Sequence, residues 1–110
     1  MINSLCVIVR RPVGEELSTL GIRTAWATLT GAFETDMLFM EDGVYNLLNN
    51  PGYNNELLKD YLKEGGKAYC IQTNLDKRGL SDQDIVEGVE LISEEDVSEI
   101  IEDNEAIIIF

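Results

Sequence analysis

The sequence predicts an α/β protein, a three-layer α/β/α sandwich built on a mostly parallel five-stranded sheet. Three observations carry that expectation. Short β-branched runs alternate with stretches of helical periodicity along the chain. The first such run, Leu5 to Val9, is apolar on both faces, as strands covered by helices on either side are. The length of 110 residues supplies one hydrophobic core rather than two, so a single domain over residues 1–110 is expected.

The elements follow in order. Leu5 to Val9 ends as a strand at Arg10-Arg11-Pro12, and from Glu15 the apolar residues Leu17, Leu20, Ile22, Ala25, Trp26, Leu29 and Ala32 recur near helical spacing. Glu15 and Glu16 sit at the start of that helix, where its dipole favours negative charge. Met37 to Met40 reads as a second short strand, broken by the Asp42-Gly43 turn, after which Val44, Leu47 and Leu48 fit a short helical turn. Asn49-Asn50-Pro51-Gly52 is a loop. The next helix starts at Asn54 or Asn55 and runs to Glu64, with Leu57, Leu58, Tyr61 and Leu62 on its buried face and Gly65-Gly66 closing it. Ala68 to Gln72 is the third strand, and Leu75 to Gly79 a short turn. Val89 to Ile92 is a fourth strand, Ser93 caps a helix that ends near Asp103-Asn104, and Ala106 to Phe110 is an apolar strand that needs a partner inside the sheet.

Charge and composition exclude whole classes of function. The net charge is −13, from 21 acidic and 8 basic residues, which argues against binding nucleic acid or anionic membrane. The acidity is local: eleven acids and no base follow Gly79, and residues 1 to 78 total only −2. There is no histidine, so no Ser-His-Asp or Cys-His couple and no imidazole metal ligand exist within the chain. Two cysteines without Cys-x-x-Cys spacing make neither a disulfide framework nor a zinc site, and they fit a reducing compartment. No apolar run reaches the length of a membrane span and the start lacks a basic leader, so a cytoplasmic protein is expected. Neither a phosphate loop nor a dinucleotide fingerprint follows a strand, and no cofactor or metal is expected.

Ligands of open parallel sheets bind outside the carboxyl ends of the strands. Arg10 and Arg11 follow the first strand, and Lys77 and Arg78 lie just beyond the third, so half the cations fall near two strand ends. Such a rim holds an anion or lowers a thiol's pKa; the plainer alternative is solvated loop charges paired with Glu41, Asp42 or Asp76. Cys70, at the end of the third strand, is the thiol with that context. Cys6 lies in an apolar strand and reads as a small hydrophobe. Asp82, Asp84 and Glu87 read as a solvated face, Trp26 and Phe33 as core, and Tyr45 and Tyr53 as partly exposed.

Glu41-Asp42-Gly43-Val44-Tyr45-Asn46-Leu47-Leu48, then Leu75-Asp76-Lys77-Arg78-Gly79-Leu80, then the ending from Glu105 to Phe110 resemble, in that order, the DsrE/DsrF-like (DsrEFH) sulfur-relay proteins, closest to their TusC/DsrF branch. The resemblance implies a compact α/β/α domain, cytoplasmic, assembled into homo- or hetero-oligomers with related subunits, commonly trimers or hexamers. It implies a sulfurtransferase-type persulfide carrier with sulfur donor and acceptor proteins as partners, in which a cysteine before the Arg-Gly carries the sulfur. Here that role falls to Cys70, with Lys77 and Arg78 stabilising its thiolate and Thr73 and Asn74 donating hydrogen bonds to the sulfur; a separate reading is a small-anion-binding module using Arg10, Arg11 and Arg78. Aligned without gaps, the family position falls on Ile71, and Cys70, one residue earlier, points to the opposite face of the strand; a second cysteine of some relatives corresponds to Asn74. The alternative, in keeping with the TusC/DsrF branch, is a non-catalytic assembly subunit in which the sheet edge and the Trp26 helix form an oligomer interface and Cys70 is packing.

Overall fold

The computed structural model describes residues 3–50 and 52–110. Five strands, β1 (Ser4–Val9), β2 (Glu34–Phe39), β3 (Lys67–Ile71), β4 (Glu90–Ile92) and β5 (Ala106–Ile109), form one sheet in the order β4-β3-β2-β1-β5. Every neighbouring pair is parallel. The helices are α1 (Glu16–Thr30), α2 (Tyr53–Lys63), α3 (Gln72–Asp76) and α4 (Val97–Glu102), joined by 3-10 turns at Glu41–Leu47, Asp82–Asp84 and Glu94–Asp96.

Handedness explains the layers. From β1 to β3 the chain steps in one direction across the sheet, and right-handed crossovers put α1 and α2 on the same face. From β4 it returns over the whole sheet to β5, which puts α4 on the other face. The first face holds the larger core, with Val7, Val9, Met37, Phe39, Leu47, Leu58 and Tyr61 fully buried. The second holds Cys6, Ile8, Leu38, Ile71, Ile92 and Ile100, with Val97 and Ile101 packed on them from α4.

Several boundaries differ from expectation for identifiable reasons. β2 begins at Glu34, not Met37, because Thr35 and Asp36 are held by Thr28 and Asn104 in place of apolar packing. Leu17 and Leu20 of α1 are exposed: the helix turns Ser18, Gly21, Ile22 and Ala25 to the sheet, and Gly21 lets Phe110 and Val9 approach closely. Gln72, expected to end β3, instead opens α3, and α2 begins at Tyr53. Ser93 caps as expected, its hydroxyl and backbone N–H both donating to Asp96.

Candidate functional site

The carboxyl ends of β1, β2 and β3 meet at one edge of the sheet. After β2 the chain turns through Glu41, whose φ of 52° lies in the left-handed region that non-glycine residues avoid. Its neighbours hold it there: the Glu41 N–H donates to the Asn74 side-chain oxygen, and its carboxylate takes Arg10 Nε at 2.9 Å. Two residues on, Gly43 packs so closely on β1 that a Cβ would stand 1.9 Å from the Val9 carbonyl oxygen. Only glycine fits. Below the turn lies a chain of amides that the sequence did not reveal. Thr19 donates to Asn54, Asn54 to Asn46, and Asn46 to the carbonyls of Arg11 and Gly43, at 2.8–3.1 Å. Asn46 and Asn54 are buried, so this network ties α1, α2 and the turn to the end of β1. The signal that marks it is Asn46, three residues after Gly43; near so many turn-forming asparagines it does not stand out.

The cations gather as the sequence suggests, but with partners. Arg78 donates from Nε and a terminal nitrogen to Asp42 Oδ1 at 3.1 and 2.9 Å, and to the Asn74 carbonyl at 3.1 Å. Arg10 pairs with Glu41, and Arg11 stands 3.7 Å from Glu15. Lys77 is exposed and enters none of the ion pairs among the described residues. Thr73 donates to Glu94 at 3.0 Å, and the Asn74 amide lies 3.5 Å from the Thr73 hydroxyl. Apart from Lys77, the rim cations are paired with acids, and these pairs brace the loops against one another. Beside it, a cleft of about 450 Å³ opens between the ends of β1 and β5, lined by Arg10, Arg11, Leu17, Ile109 and Phe110 together with the acids Glu15, Glu41 and Asp42.

Cys70 does not join this rim. Its side chain points into the larger core, with no exposed surface, in the cluster that includes Phe39, Leu47 and Leu75, and its thiol reaches only the Ile71 carbonyl at 3.7 Å. Burial pushes its pKa up to about 12, the reverse of the lowering that a cationic rim would give. Ile71 is buried on the opposite face, beneath α4. Cys6 is equally enclosed there, its thiol pushed up to about 11 by burial first and by the charge of Asp36 second. Both cysteines are free. Among the described residues no group of three or more Cys, Asp or Glu is placed to hold a metal ion, and no helix is long and apolar enough to cross a membrane.

A model of the DsrE/DsrF-like family matches residues 3–110. The chain belongs to the DsrE/DsrF-like family. An uncharacterized protein of Methanopyrus kandleri, MK0008, is 30% identical over 111 residues, covering 94% of this chain and 90% of its own length. Another, MJ0989 of Methanocaldococcus jannaschii, is 26% identical, covering 94% of this chain and 96% of its own. Among solved structures, the ychN protein from E. coli superposes over all of both chains with a TM-score of 0.85 at 21% identity. MTH1491 from Methanobacterium thermoautotrophicum, a protein of unknown function, gives 0.78 at 18% identity over 97% of this chain and 98% of its own. At these identities the superpositions establish the shared DsrE fold, and family membership suggests a role related to sulfur relay.

Proposed function

We propose that this DsrE/DsrF-like chain serves a cytoplasmic sulfur-relay system as a partner subunit, contributing its fold and its rim while a related subunit supplies the thiol that carries sulfur between donor and acceptor proteins. The observation that carries the reading is the burial of both thiols. Cys6 and Cys70 are both fully buried, and both are pushed far above neutrality, whereas the species that attacks a sulfur donor is an accessible thiolate. The rim points the same way: Arg10, Arg78, Thr73 and Asn74, the groups that would stabilise a persulfide at Cys70, are engaged with Glu41, Asp42 and Glu94 or with each other. Association of family members into oligomers of related subunits accords with a chain that lacks a carrier thiol of its own.

The experiment is to incubate the native protein with a cysteine desulfurase and cysteine, then weigh it intact. The carrier reading predicts an adduct of about 32 Da, one sulfur atom, lost in Cys70→Ser. The partner reading predicts no adduct, with thiol labelling only after unfolding. A desulfurase-dependent adduct on Cys70 of the folded chain would overturn it.

A further inference from the structure

A second cleft, of about 210 Å³, opens between the loop that enters α1 and the start of α2. Val13, Tyr45, Leu48 and Tyr53 line it together with the buried amides of Asn54 and Asn55, and no charged side chain is among its described lining residues. Asn55 is the unusual member. It is only 5% exposed and its Nδ2 donates to the Leu48 carbonyl at 2.9 Å, but its Oδ1 accepts no hydrogen bond from the described residues. Asn54, by contrast, has both ends of its amide engaged, with Thr19 and with Asn46. A buried amide oxygen without a donor is costly, and among the described residues no wholly enclosed side-chain atom is left in that condition. The oxygen of Asn55 therefore keeps a small accessible surface, and the cleft that Asn55 lines is where it opens.

The same cleft meets the first turn of α2. The leading N–H groups of a helix have no acceptor within it, and Gly52, at the cap position, brings no side chain to take them. Donors at the helix start and an acceptor on Asn55 thus stand at one uncharged cleft. Charge then sorts the ligands. A carboxylate would suit the N–H groups but would find no cation and would meet the lone pairs of Asn55 Oδ1. An ammonium or amidinium would suit that oxygen but would enter against the positive end of the α2 dipole. A neutral carboxamide satisfies both, its carbonyl accepting from the helix and its NH₂ donating to Asn55. Tyr45 and Tyr53 add aromatic surface on which a planar group can stack.

We propose that this cleft binds a small neutral ligand through a carboxamide group, held between the first N–H groups of α2 and the Asn55 side-chain oxygen. A space of this size admits one ring or one side chain, so the carboxamide belongs either to a free small molecule or to the end of a glutamine side chain. The site uses neither thiol and none of the rim cations, and it stands independently of the partner-subunit reading.

Three probes of one shape and different charge test the site on the full chain: benzamide, benzoate and benzamidinium, each titrated while the backbone and side-chain amide signals are followed by NMR. Benzamide should bind at least tenfold more tightly than either charged analogue, and it should move the Tyr53 and Asn54 backbone signals together with the Asn55 side-chain signal. Asn55→Ala should abolish that binding. Because this change also frees the Leu48 carbonyl and can loosen the turn, Tyr53→Ala, at a residue 60% exposed, is the second variant. It should weaken benzamide by about three- to ten-fold with circular dichroism unchanged. Acetylglutamine methylamide, run beside benzamide, distinguishes the source: tighter binding of the peptide assigns the site to a protein side chain, tighter binding of benzamide to a free ligand, and both support carboxamide recognition. Equal affinity for the three probes, a preference for benzoate or benzamidinium, or unmoved signals from Tyr53 to Asn55 at about 20 mM benzamide overturns the proposal.

Discussion

The two faces of the sheet are built to different standards. On one, α1 and α2 pack against each other and against the strands over a core that includes Phe39 and Tyr61. Tyr61 lies wholly inside, its hydroxyl donating toward the carbonyls of Thr35 and Lys67 at 2.9 and 2.7 Å. On the other face, the six residues of α4 and one 3-10 turn must cover the same strands, and of the six buried residues at the contact five belong to the strands and one, Ile100, to α4. The thin face also carries most of the acids that follow Gly79, none of which enters an ion pair among the described residues. One crossover must return across the full sheet in a single short step, so the covering layer is sparse and its outer surface is left to charge. Stability is expected to be concentrated in the first face.

Opposite-face neighbours on β2 give the sharpest test of that contrast. Met37 and Leu38 are both fully buried, on the thick and thin faces respectively. Met37→Ala should cost about 4 kcal/mol, because two mutually packed helices cannot close over the cavity, and Leu38→Ala about 2 kcal/mol, because a short α4 can settle inward. Denaturant unfolding measures both, and equal losses would break the comparison. A larger effect still is expected at the join between β2 and its turn. Gly43→Ala forces backbone apart and should leave little folded protein at 25 °C, read by circular dichroism.

The thiols extend the test to pH. Each has its pKa raised in the folded state, from the ordinary 9.0 to about 12 for Cys70 and about 11 for Cys6, so the unfolded chain loses these protons first as pH rises. Their contribution is fully present below pH 9 and declines above it, through about pH 11 for Cys6 and about pH 12 for Cys70. Melting curves of Cys70→Ala and Cys6→Ala against the parent should therefore show a shallower loss of stability above pH 9, the flattening greater for Cys70. At the small end, Glu99→Lys on the exposed side of α4 should raise stability by about 0.3 kcal/mol at low salt, and added salt should erase the gain. Asp42→Asn, which frees Arg78 at the rim, should cost about 0.5 kcal/mol, since Asp42 is largely exposed.

Element order, the parallel sheet and the helix layers were legible because apolar periodicity switches clearly between strand and helix along this chain. The ends of elements were less so where polar residues do structural work. Thr35 and Asp36 hide the first residues of β2, and the buried asparagines of the rim look like ordinary loop residues. The cations of the candidate site were found, and their acidic partners Glu41 and Asp42 were named among the possibilities. The direction of Cys70 was harder: alternation shows that neighbours oppose each other, whereas which of the two faces the helices' core depends on where α2 lies. Leu17 and Leu20 illustrate the same limit, since the helix turned a small-residue stripe to the sheet in place of its leucines.

The position of β5 has a further consequence, for the order of folding. β1 is a central strand flanked by β2 and β5, and the Asn3 N–H that donates to the Glu105 carboxylate lies 102 residues away along the chain. During synthesis β1 and β2 can pair early, through the local α1 crossover, but the other edge of β1 stays bare until residues 106–109 emerge. For that interval the nascent chain presents Leu-Cys-Val-Ile-Val without its closing partner, an aggregation hazard that only the final strand removes. Pairings of such long reach are slow to form, so closure by β5 is expected to be a late step of refolding.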